Sequence, residues 1–455
     1  MCSFLIFNYK VDNLDYLNYF LKKRGPDLTY RYDLNGCVFI HNLLHLTGKM
    51  TKQPFVDKEN EIVCLYNGEI YNYKEFGEYE SDGCCLIDLY KKYSIEFIKK
   101  LDGEFAIVLF DFKKNIFIIA TDVFGTKPLW ISTSNGRLGI SSYKSGLDRA
   151  GLSKNAKKIA ANTILTYDLG YLELMEEDRV YEFDFYQYKT TYDDWASAFI
   201  NSIKKRVDNE NYPVFVCLSS GYDSGCICTA LNIIGKEFYT YTIMAKENKK
   251  IVNDRIKINN KVYCKESNVI ELTRKEYEEL HKYIKKSAEF CKYEEANGKT
   301  DIFQDSASVG MAKICKLASE KKRRIYLSGT GADEIHCDYG INGKKIYGHS
   351  CFGGKYPNNL YSIVSNDPDE EVIWKSFFNG TQKDYLGKEE NISGCFGIEG
   401  RYPFLDKELV QEFLWLHPKL KNANYKAPLE FLLKRYNYPY DKDVKIGFSA
   451  NVNLK

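Results

Sequence analysis

The sequence predicts two domains of different architecture, an antiparallel β-rich domain followed by a parallel α/β domain, and three observations carry that prediction. From Met1 to about Val180, short apolar runs alternate with turns, the spacing of stacked antiparallel sheets. Beyond about residue 190 the rhythm changes to buried strands separated by helical segments, which argues a parallel sheet. The chain has 455 residues, 44% hydrophobic and 28% charged, an ordinary balance with length enough for more than one core.

Taken in order, the first domain (1–190) is expected to place strands at Phe4–Phe7, Val38–Ile40, Ile62–Tyr66, Phe105–Asp111, Ile116–Thr121, Leu138–Ser141 and Ile164–Asp168. Helical patterns fall around Asn13–Lys22 and Cys85–Lys92. A Tyr-rich, acidic stretch near Tyr181–Asp194 leads into the second domain (191–455), with strands at Pro213–Leu218, Phe238–Met244 and Arg324–Leu327. Lys246–Lys265 is charged and Asn-rich and reads as a surface loop without function. From about Glu371 the pattern is mostly helical, an extension packed on the sheet.

Lys and Arg number 64 against 62 Asp and Glu, and a net charge of +2 provides no long-range field for nucleic acid or an acidic membrane. Small-molecule chemistry is the expectation. The 14 cysteines are scattered, and pairs such as Cys226 and Cys228 or Cys84 and Cys85 fit neither zinc-site spacing nor a secreted disulfide scaffold, so a reduced cytoplasm is expected. The opening Met-Cys-Ser-Phe-Leu-Ile-Phe is too short for a signal peptide, and no apolar run approaches the ~20 residues of a membrane span.

Cys2 stands directly behind the initiator Met. Once that Met is trimmed, the thiol carries its own α-amine, which can take the thiol proton without a histidine. Just past the strand ending at Tyr66, Asn67 offers a side-chain amide and Gly68 a flexible backbone N–H, two donors of the kind that make an oxyanion hole. A lone Asn-Gly would be a simple turn. Together these features resemble the class II glutamine amidotransferase domain, to which Leu101-Asp102-Gly103-Glu104-Phe105-Ala106 and the run Asp122 to Leu129 also conform. The resemblance implies an N-terminal nucleophile-type αββα sandwich, with Cys2 as nucleophile, Asn67 and Gly68 as oxyanion hole, and Glu69 and Asp82 as glutamine contacts. The sequence departs from the family at Leu43, where an Arg would clamp the substrate α-carboxylate, and at Ser3 (usually Gly) and Thr121 (usually Arg). Loss of such a charge-assisted pair weakens binding by roughly 1.5–3 kcal/mol.

In the second domain, Leu218-Ser219-Ser220-Gly221-Tyr222-Asp223-Ser224-Gly225 follows an apolar strand and precedes an apolar helical run. Strand, small-residue loop and helix aim backbone N–H groups and hydroxyls at phosphate. Ser219, Ser220, Gly221 and Ser224 are expected on pyrophosphate, and Asp223 on Mg²⁺, a hard cation that prefers carboxylate and phosphate oxygens. No Gly-Lys-Ser/Thr follows, so this is not a Walker A loop. It resembles the pyrophosphatase loop of N-type ATP pyrophosphatases. About a hundred residues later, Ser328-Gly329-Thr330-Gly331-Ala332-Asp333-Glu334 follows a strand, allows close backbone approach and supplies Asp333 as a second metal carboxylate. It is similar to the second asparagine synthetase signature, with Thr330 where an acidic residue is common and His336-Cys337-Asp338 where Phe-Gly-Gly is usual.

The same resemblance implies that Leu218, Ile243, Ser328 and Gly329 border the nucleotide. The run Glu399-Gly400-Arg401-Tyr402-Pro403-Phe404-Leu405-Asp406 and Tyr425-Lys426-Ala427-Pro428-Leu429 resemble the helical end of the synthetase domain, implying that Lys426, and Lys445 behind it, stabilise charge on the transferred phosphate. On the acceptor side it implies Asp301, Glu399 and Arg401, with Gly298 standing where the family has a Glu and Glu294 or Glu295 as nearby replacements.

Across nearly the whole chain the sequence thus resembles the glutamine-hydrolysing asparagine synthetases: an αββα amidotransferase followed by a parallel, Rossmann-like ATP-pyrophosphatase domain with a helical C-terminal extension. The resemblance implies glutamine, ATP, Mg²⁺ and aspartate as small-molecule partners, AMP and pyrophosphate as products, a protected passage for ammonia between domains, and pairing as a homodimer. Three other readings stay open: an amide synthetase for another acid such as a sugar acid or secondary metabolite, a ligase using another amine, and a catalytically silent scaffold.

Overall fold

A computed structural model describes residues 2–208, 211–294, 300–365 and 374–450. The first part of the chain forms two six-stranded antiparallel sheets. One runs Lys157–Lys158, Trp130–Ser134, Arg137–Ser141, Ser3–Phe7, Cys37–Leu43, Leu28–Leu34, and the other Leu174–Arg179, Thr163–Asp168, Ile116–Thr121, Gly103–Asp111, Ile62–Ile70, Phe55–Asp57. The two-residue period of a strand divides the apolar residues between layers. Phe4 and Ile6 face the second sheet, where Val63, Leu65 and Val108 meet them. Leu5 and Phe7 point the other way, under the helices that carry Leu17, Leu21 and Leu147. Beyond the second sheet, Leu86 and Leu89 of the helix Leu86–Tyr93 cover Cys64, Ile107 and Leu109. The result is the expected αββα sandwich.

The strand expected to stop at Tyr66 runs on to Ile70, so Asn67 and Gly68 lie within it and not in a turn beyond it. Gly68 has φ +144°, and a Cβ there would sit 1.8 Å from the Glu104 carbonyl oxygen. Only glycine fits, and the neighbouring strand approaches closely because of it.

The second part of the chain builds a five-stranded parallel sheet in the order Cys264–Ile270, Phe238–Ile243, Val214–Cys217, Ile325–Leu327, Glu399–Arg401. Both edge strands escape the sequence reading, Cys264–Ile270 because its exposed face is polar and Glu399–Arg401 because it is three residues long and carries two charges. The helices Asp193–Val207 and Tyr222–Ile234 cover one face through Trp195, Phe199 and Cys226, and Ser306–Glu320 and Gly380–Gly394 cover the other through Val309, Ala312 and Ile392. Lys246–Lys265, expected as a surface loop, contains the helix Lys249–Asn260, which Asn248 caps with its side-chain oxygen. The strand order reverses between Val214–Cys217 and Ile325–Leu327, so a crevice opens beyond their carboxyl ends.

A buried ionic network joins the two parts. Arg24 lies 2.8 Å from Glu390, and Lys127 reaches Glu390 at 3.3 Å and Glu104 at 3.4 Å. Arg206 contacts both Glu104 and Asp406 at 2.8 Å, and the Tyr402 hydroxyl donates to Glu390 at 2.7 Å. Removing one partner from such a set leaves an uncompensated buried charge, at a cost of about 3–5 kcal/mol.

Glu289, at the same junction, accepts the Ser145 N–H at 2.8 Å, and burial outweighs that contact and the nearby Arg149 and pushes its carboxyl up to about 7. A carboxyl raised by folding contributes stability that is full below its unfolded value and is lost as pH rises through the folded one. Urea denaturation of the wild type is therefore expected to show stability falling between about pH 4.5 and pH 7, and Glu289→Gln to flatten that slope. An unchanged slope in the variant would mean that Glu289 stays ionised in the folded protein.

Candidate active sites

Two cavities hold most of the residues singled out by the sequence. The first lies at the end of the sandwich and is lined by Cys2, Leu43, Gly68, Glu69, Asp82 and Glu399, among others. Cys2 is buried, its thiol directed at the Leu44 carbonyl at 3.8 Å, and burial pushes the thiol up to about 12. At neutral pH it is protonated, so a nucleophilic role needs a base within the site. Asn67 is fully buried and neither its amide nitrogen nor its oxygen has a hydrogen-bond partner among the described residues. Such a group is expensive to leave unsatisfied and is available to a ligand.

Glu69 is held by the Thr47 hydroxyl at 2.8 Å and by Arg401, whose Nη2 lies 3.1 Å away. Asp82 accepts the Ile70 N–H at 2.9 Å and the Tyr66 hydroxyl. Leu43 is on the cavity wall, as the departure from the family pattern requires, and His45 and Lys49 are on the same wall. Ser3 is absorbed structurally, donating to the Leu21 carbonyl at 2.7 Å, and Thr121 donates to the Ala160 carbonyl at 2.6 Å.

The second cavity, of about 240 Å³, occupies the crevice of the parallel sheet. Ser219, Gly221, Asp223 and Ser224 line one side, and Gly329, Thr330 and Asp333 the other, with Lys445 above them. The Ser219 and Ser224 hydroxyls are 2.8 Å apart, and Gly221 N–H donates to Ser219 Oγ at 3.1 Å. Lys426 is buried between the two carboxylates, bonded to Asp223 and 2.9 Å from Asp333, and Lys445 bonds Asp333 as well. Burial alone would raise Asp333, but Lys426 and Lys445 outweigh it and hold the carboxyl well below the usual range. Lys426 adopts φ +50° at the head of the helix Ala427–Arg435, a left-handed conformation unusual for lysine, which directs its ammonium inward.

Among the described residues no group of three or more His, Cys, Asp or Glu side chains could hold a metal. Mg²⁺ is characteristically held by one or two protein carboxylates and completed by substrate phosphates, so Asp223 and Asp333, sharing one lysine over a cavity, fit that ion.

Several expectations need correction. Leu218, Ser220, Ile243 and Ser328 are buried and do not line the cavity. Ile243 belongs to a core cluster that includes Ala450, so the C-terminal segment, with Phe448 on the wall, takes the place expected for the strand. Ser220 is engaged by Glu247, which accepts both its N–H (2.6 Å) and its hydroxyl (2.5 Å). Glu399 and Arg401 belong to the Cys2 side: Glu399 lines that cavity and Arg401 bridges to Glu69. Asp301 is off the cavity, accepting the Phe303 and Gln304 N–H groups of a turn at 2.7 and 3.1 Å. The carboxylate that reaches the cavity is Asp305, bonded to Tyr293 at 3.1 Å and 3.4 Å from Lys388. Glu294 pairs with Lys383 at 2.8 Å, while Glu295 and Gly298 lie outside the described residues.

Sequence reasoning also missed Arg255 and Glu389. Arg255 is buried beneath the Ser219–Gly221 loop and donates to the Ser219 and Gly221 carbonyls at 2.6 and 2.8 Å. A Cβ on Gly225 would sit 2.6 Å from its guanidinium, which explains the glycine. Glu389 is on the cavity wall beside Thr330, and burial pushes its carboxyl up to about 7.

Comparisons with known proteins agree with this arrangement. A family model described as "Glutamine amidotransferase domain" matches residues 1–182, and one described as "Asparagine synthase" matches residues 194–366. The chain is 26% identical to a putative asparagine synthetase [glutamine-hydrolyzing] 1 of Methanocaldococcus jannaschii over 91% of this chain and 72% of that protein. It is 25% identical to asparagine synthetase [glutamine-hydrolyzing] 1 of Arabidopsis thaliana (88% and 66%) and 23% identical to asparagine synthetase B [glutamine-hydrolyzing] of Escherichia coli K12 (92% and 76%). It therefore spans about two thirds to three quarters of the length of these relatives. A glutamine amidotransferase domain and an asparagine synthase domain thus follow one another in a single chain. The chain belongs to the family of glutamine-hydrolysing asparagine synthetases, which are carbon–nitrogen ligases. No helix among the described residues is long and apolar enough to cross a membrane.

Arg255→Met removes both carbonyl contacts beneath the loop, and hydrogen bonds to a charged group are worth about 1.5–3 kcal/mol. Calorimetric titration with MgATP is expected to show binding weakened by about 10- to 100-fold, with the fold of the sandwich intact. Unaltered ATP affinity would mean that the loop holds its shape without Arg255.

Proposed function

We propose that this protein is a glutamine-dependent amide synthetase, with an amidotransferase unit in residues 1–190 and an ATP-pyrophosphatase unit in residues 191–455, that uses ATP to activate aspartate and yields asparagine, AMP and pyrophosphate. The observation that carries the reading is the strand Glu399–Arg401. It is hydrogen-bonded into the parallel sheet beside Ile325–Leu327, and its two charged side chains reach the Cys2 cavity.

In this reading Cys2, freed of Met1, attacks the glutamine amide while its α-amine takes the thiol proton. Asn67 and Gly68 receive the oxyanion, and Glu69 and Asp82 hold the substrate amine. Released ammonia passes through the junction to the second cavity, where the protein wall protects it from dilution into water. There Ser219, Gly221 and Ser224 cradle the phosphates and Lys426 and Lys445 neutralise charge as the carboxylate of the acceptor displaces pyrophosphate. Asp223 and Asp333 would hold Mg²⁺, which supplies charge neutralisation on the phosphates. The Asp305–Lys388 pair on the cavity wall presents one negative and one positive group, the arrangement that a zwitterionic amino acid can match with its ammonium and α-carboxylate. All 14 cysteines are free, which suits a reducing cytoplasm.

Leu43 on the wall of the first cavity favours a second reading, in which the synthetase works from ammonium and glutamine is used poorly. Protein confirmed by mass to lack Met1 is mixed with MgATP and aspartate, plus either glutamine or ammonium, and AMP, pyrophosphate and amide are followed. Asparagine from both nitrogen sources is the expected outcome. Product from ammonium alone would establish the second reading, and absence of pyrophosphate with either source would sink aspartate as the acceptor.

A further inference from the structure

The helix Gly380–Gly394 carries two adjacent glutamates to opposite environments at the point where the two cavities approach. Glu390 faces the sandwich. It is paired with Arg24 and Lys127 and accepts the Tyr402 hydroxyl, and Arg24 donates to the Cys2 carbonyl at 3.1 Å. A single side chain, Arg24, therefore separates the helix from the nucleophile's backbone. Glu389, the next residue, faces the second cavity. It is half-buried on the cavity wall, accepts the Ser328 hydroxyl, and has no cation within ion-pair distance among the described residues, because the nearby Lys388 is turned to Asp305. Of the two carboxylates at the crossing, one is neutralised by its partners and the other is left to handle a proton.

We propose that Glu389 is the proton acceptor for the amine that enters the second cavity from the Cys2 side, the group that makes ammonia nucleophilic and completes amide formation. This rests on the amide synthetase reading above. The nitrogen lone pair attacks the acyl carbon and the C–N bond forms. As the tetrahedral species collapses, the carbon–oxygen bond to AMP breaks and AMP leaves with the electron pair. One N–H proton passes to the Glu389 carboxylate, so that a neutral amide remains and the carboxyl later returns the proton to water. An ammonium ion arriving still protonated would give up its proton to the same group.

The position suits that work. Burial brings the Glu389 carboxyl to about 7, where both protonation states are populated and proton transfer in either direction is efficient. The charged and titratable groups that face it are Lys388, Glu334, Cys217, Tyr326, Cys315 and Tyr402. Of these only Lys388 is cationic, and it draws the carboxyl down while Glu334 and burial draw it up. Ser328 and the neighbouring Thr330 fix the carboxylate against the loop that also carries Asp333, so the proton acceptor and the phosphate machinery share one backbone segment.

The test separates the two half-reactions in the full-length protein with MgATP and aspartate. Exchange of labelled pyrophosphate into ATP reads activation of the acid, and amide formation from ammonium reads the amine step. Glu389→Gln is expected to keep exchange within about tenfold of wild type and to lose amide formation by about 10²–10⁴-fold, the usual contribution of a general base. With hydroxylamine, which arrives unprotonated at neutral pH and whose adduct is acidic enough to give its N–H proton to water, the same variant is expected to form the hydroxamate at close to the wild-type rate. Glu389→Asp keeps a carboxylate and is expected to recover part of the ammonium-dependent rate with a shifted pH profile. Equal loss of both half-reactions in Glu389→Gln, or equal loss with ammonium and hydroxylamine, would make Glu389 a structural support of its loop and overturn the proposal. A wild-type protein that exchanges no pyrophosphate would instead overturn the amide synthetase reading on which it stands.

Discussion

The buried ionic network between the two halves is the constraint on which the rest of the molecule depends. Arg24, Lys127, Arg206 and Arg401 meet Glu104, Glu390, Asp406, Glu399 and Glu69 out of contact with water, where an unpaired charge is unstable. The pairs that cross between them, Arg24–Glu390, Lys127–Glu390, Arg206–Glu104 and Arg401–Glu69, are satisfied only in one relative placement of sandwich and parallel sheet. A hydrophobic junction of the same size tolerates small slides, because apolar contact is non-directional. Hydrogen-bonded ion pairs do not. Ions therefore add little net stability here but fix a register between the two cavities.

That register explains the unusual economy of the strand Glu399–Arg401. Its backbone closes the edge of the parallel sheet, and the Arg401 carbonyl accepts the Ser328 N–H at 2.9 Å, at the root of the Ser328–Glu334 loop. Its side chains turn the other way, into the amidotransferase site. The period of two along a strand thus lets one short segment touch two sites at once. Any shift of Cys2 relative to the nucleotide crevice has to move this strand, and moving it breaks sheet pairing and ion pairs together.

What was legible in the sequence was whatever is encoded locally. The Leu218–Gly225 and Ser328–Glu334 loops are strand-to-helix turns whose small residues announce themselves, and the structure sets Asp223 and Asp333, each expected as a metal carboxylate, facing one lysine. The alternation of the sandwich strands was equally plain, apart from the continuation through Asn67 and Gly68, where an Asn-Gly pair reads as a turn until the neighbouring strand is seen to need the missing Cβ. Illegible were the residues whose roles are created by long-range packing. Arg255 looks like one cation in a charged stretch until its helix folds beneath the phosphate loop. Asp305 and Asp301 are indistinguishable by spacing, and only the start of the helix Ser306–Glu320 decides which one caps a turn and which reaches the cavity. The resemblance implies Glu399 and Arg401 on the acceptor side, whereas the strand turns both side chains to the Cys2 cavity.

The charge balance of the second cavity argues for how it must change when occupied. Asp223 and Asp333 are matched by Lys426 and Lys445, so the group is neutral as it stands. A nucleotide triphosphate brings several negative charges to the same place, and a divalent cation brings only two positive ones. Electroneutrality in a buried site then requires the lysines to stay while their partners change, from carboxylate oxygens to phosphate oxygens, as the carboxylates take up the cation. Lys426 is built for such an exchange. Its left-handed backbone sets it at the head of a helix, with its ammonium already aimed into the crevice, so that a rotation about side-chain bonds suffices and no backbone needs to move. In the proposed reaction the conformational strain at Lys426 has a use: it places a cation where the carboxylates hold it in the free protein and where the phosphates of a nucleotide would meet it.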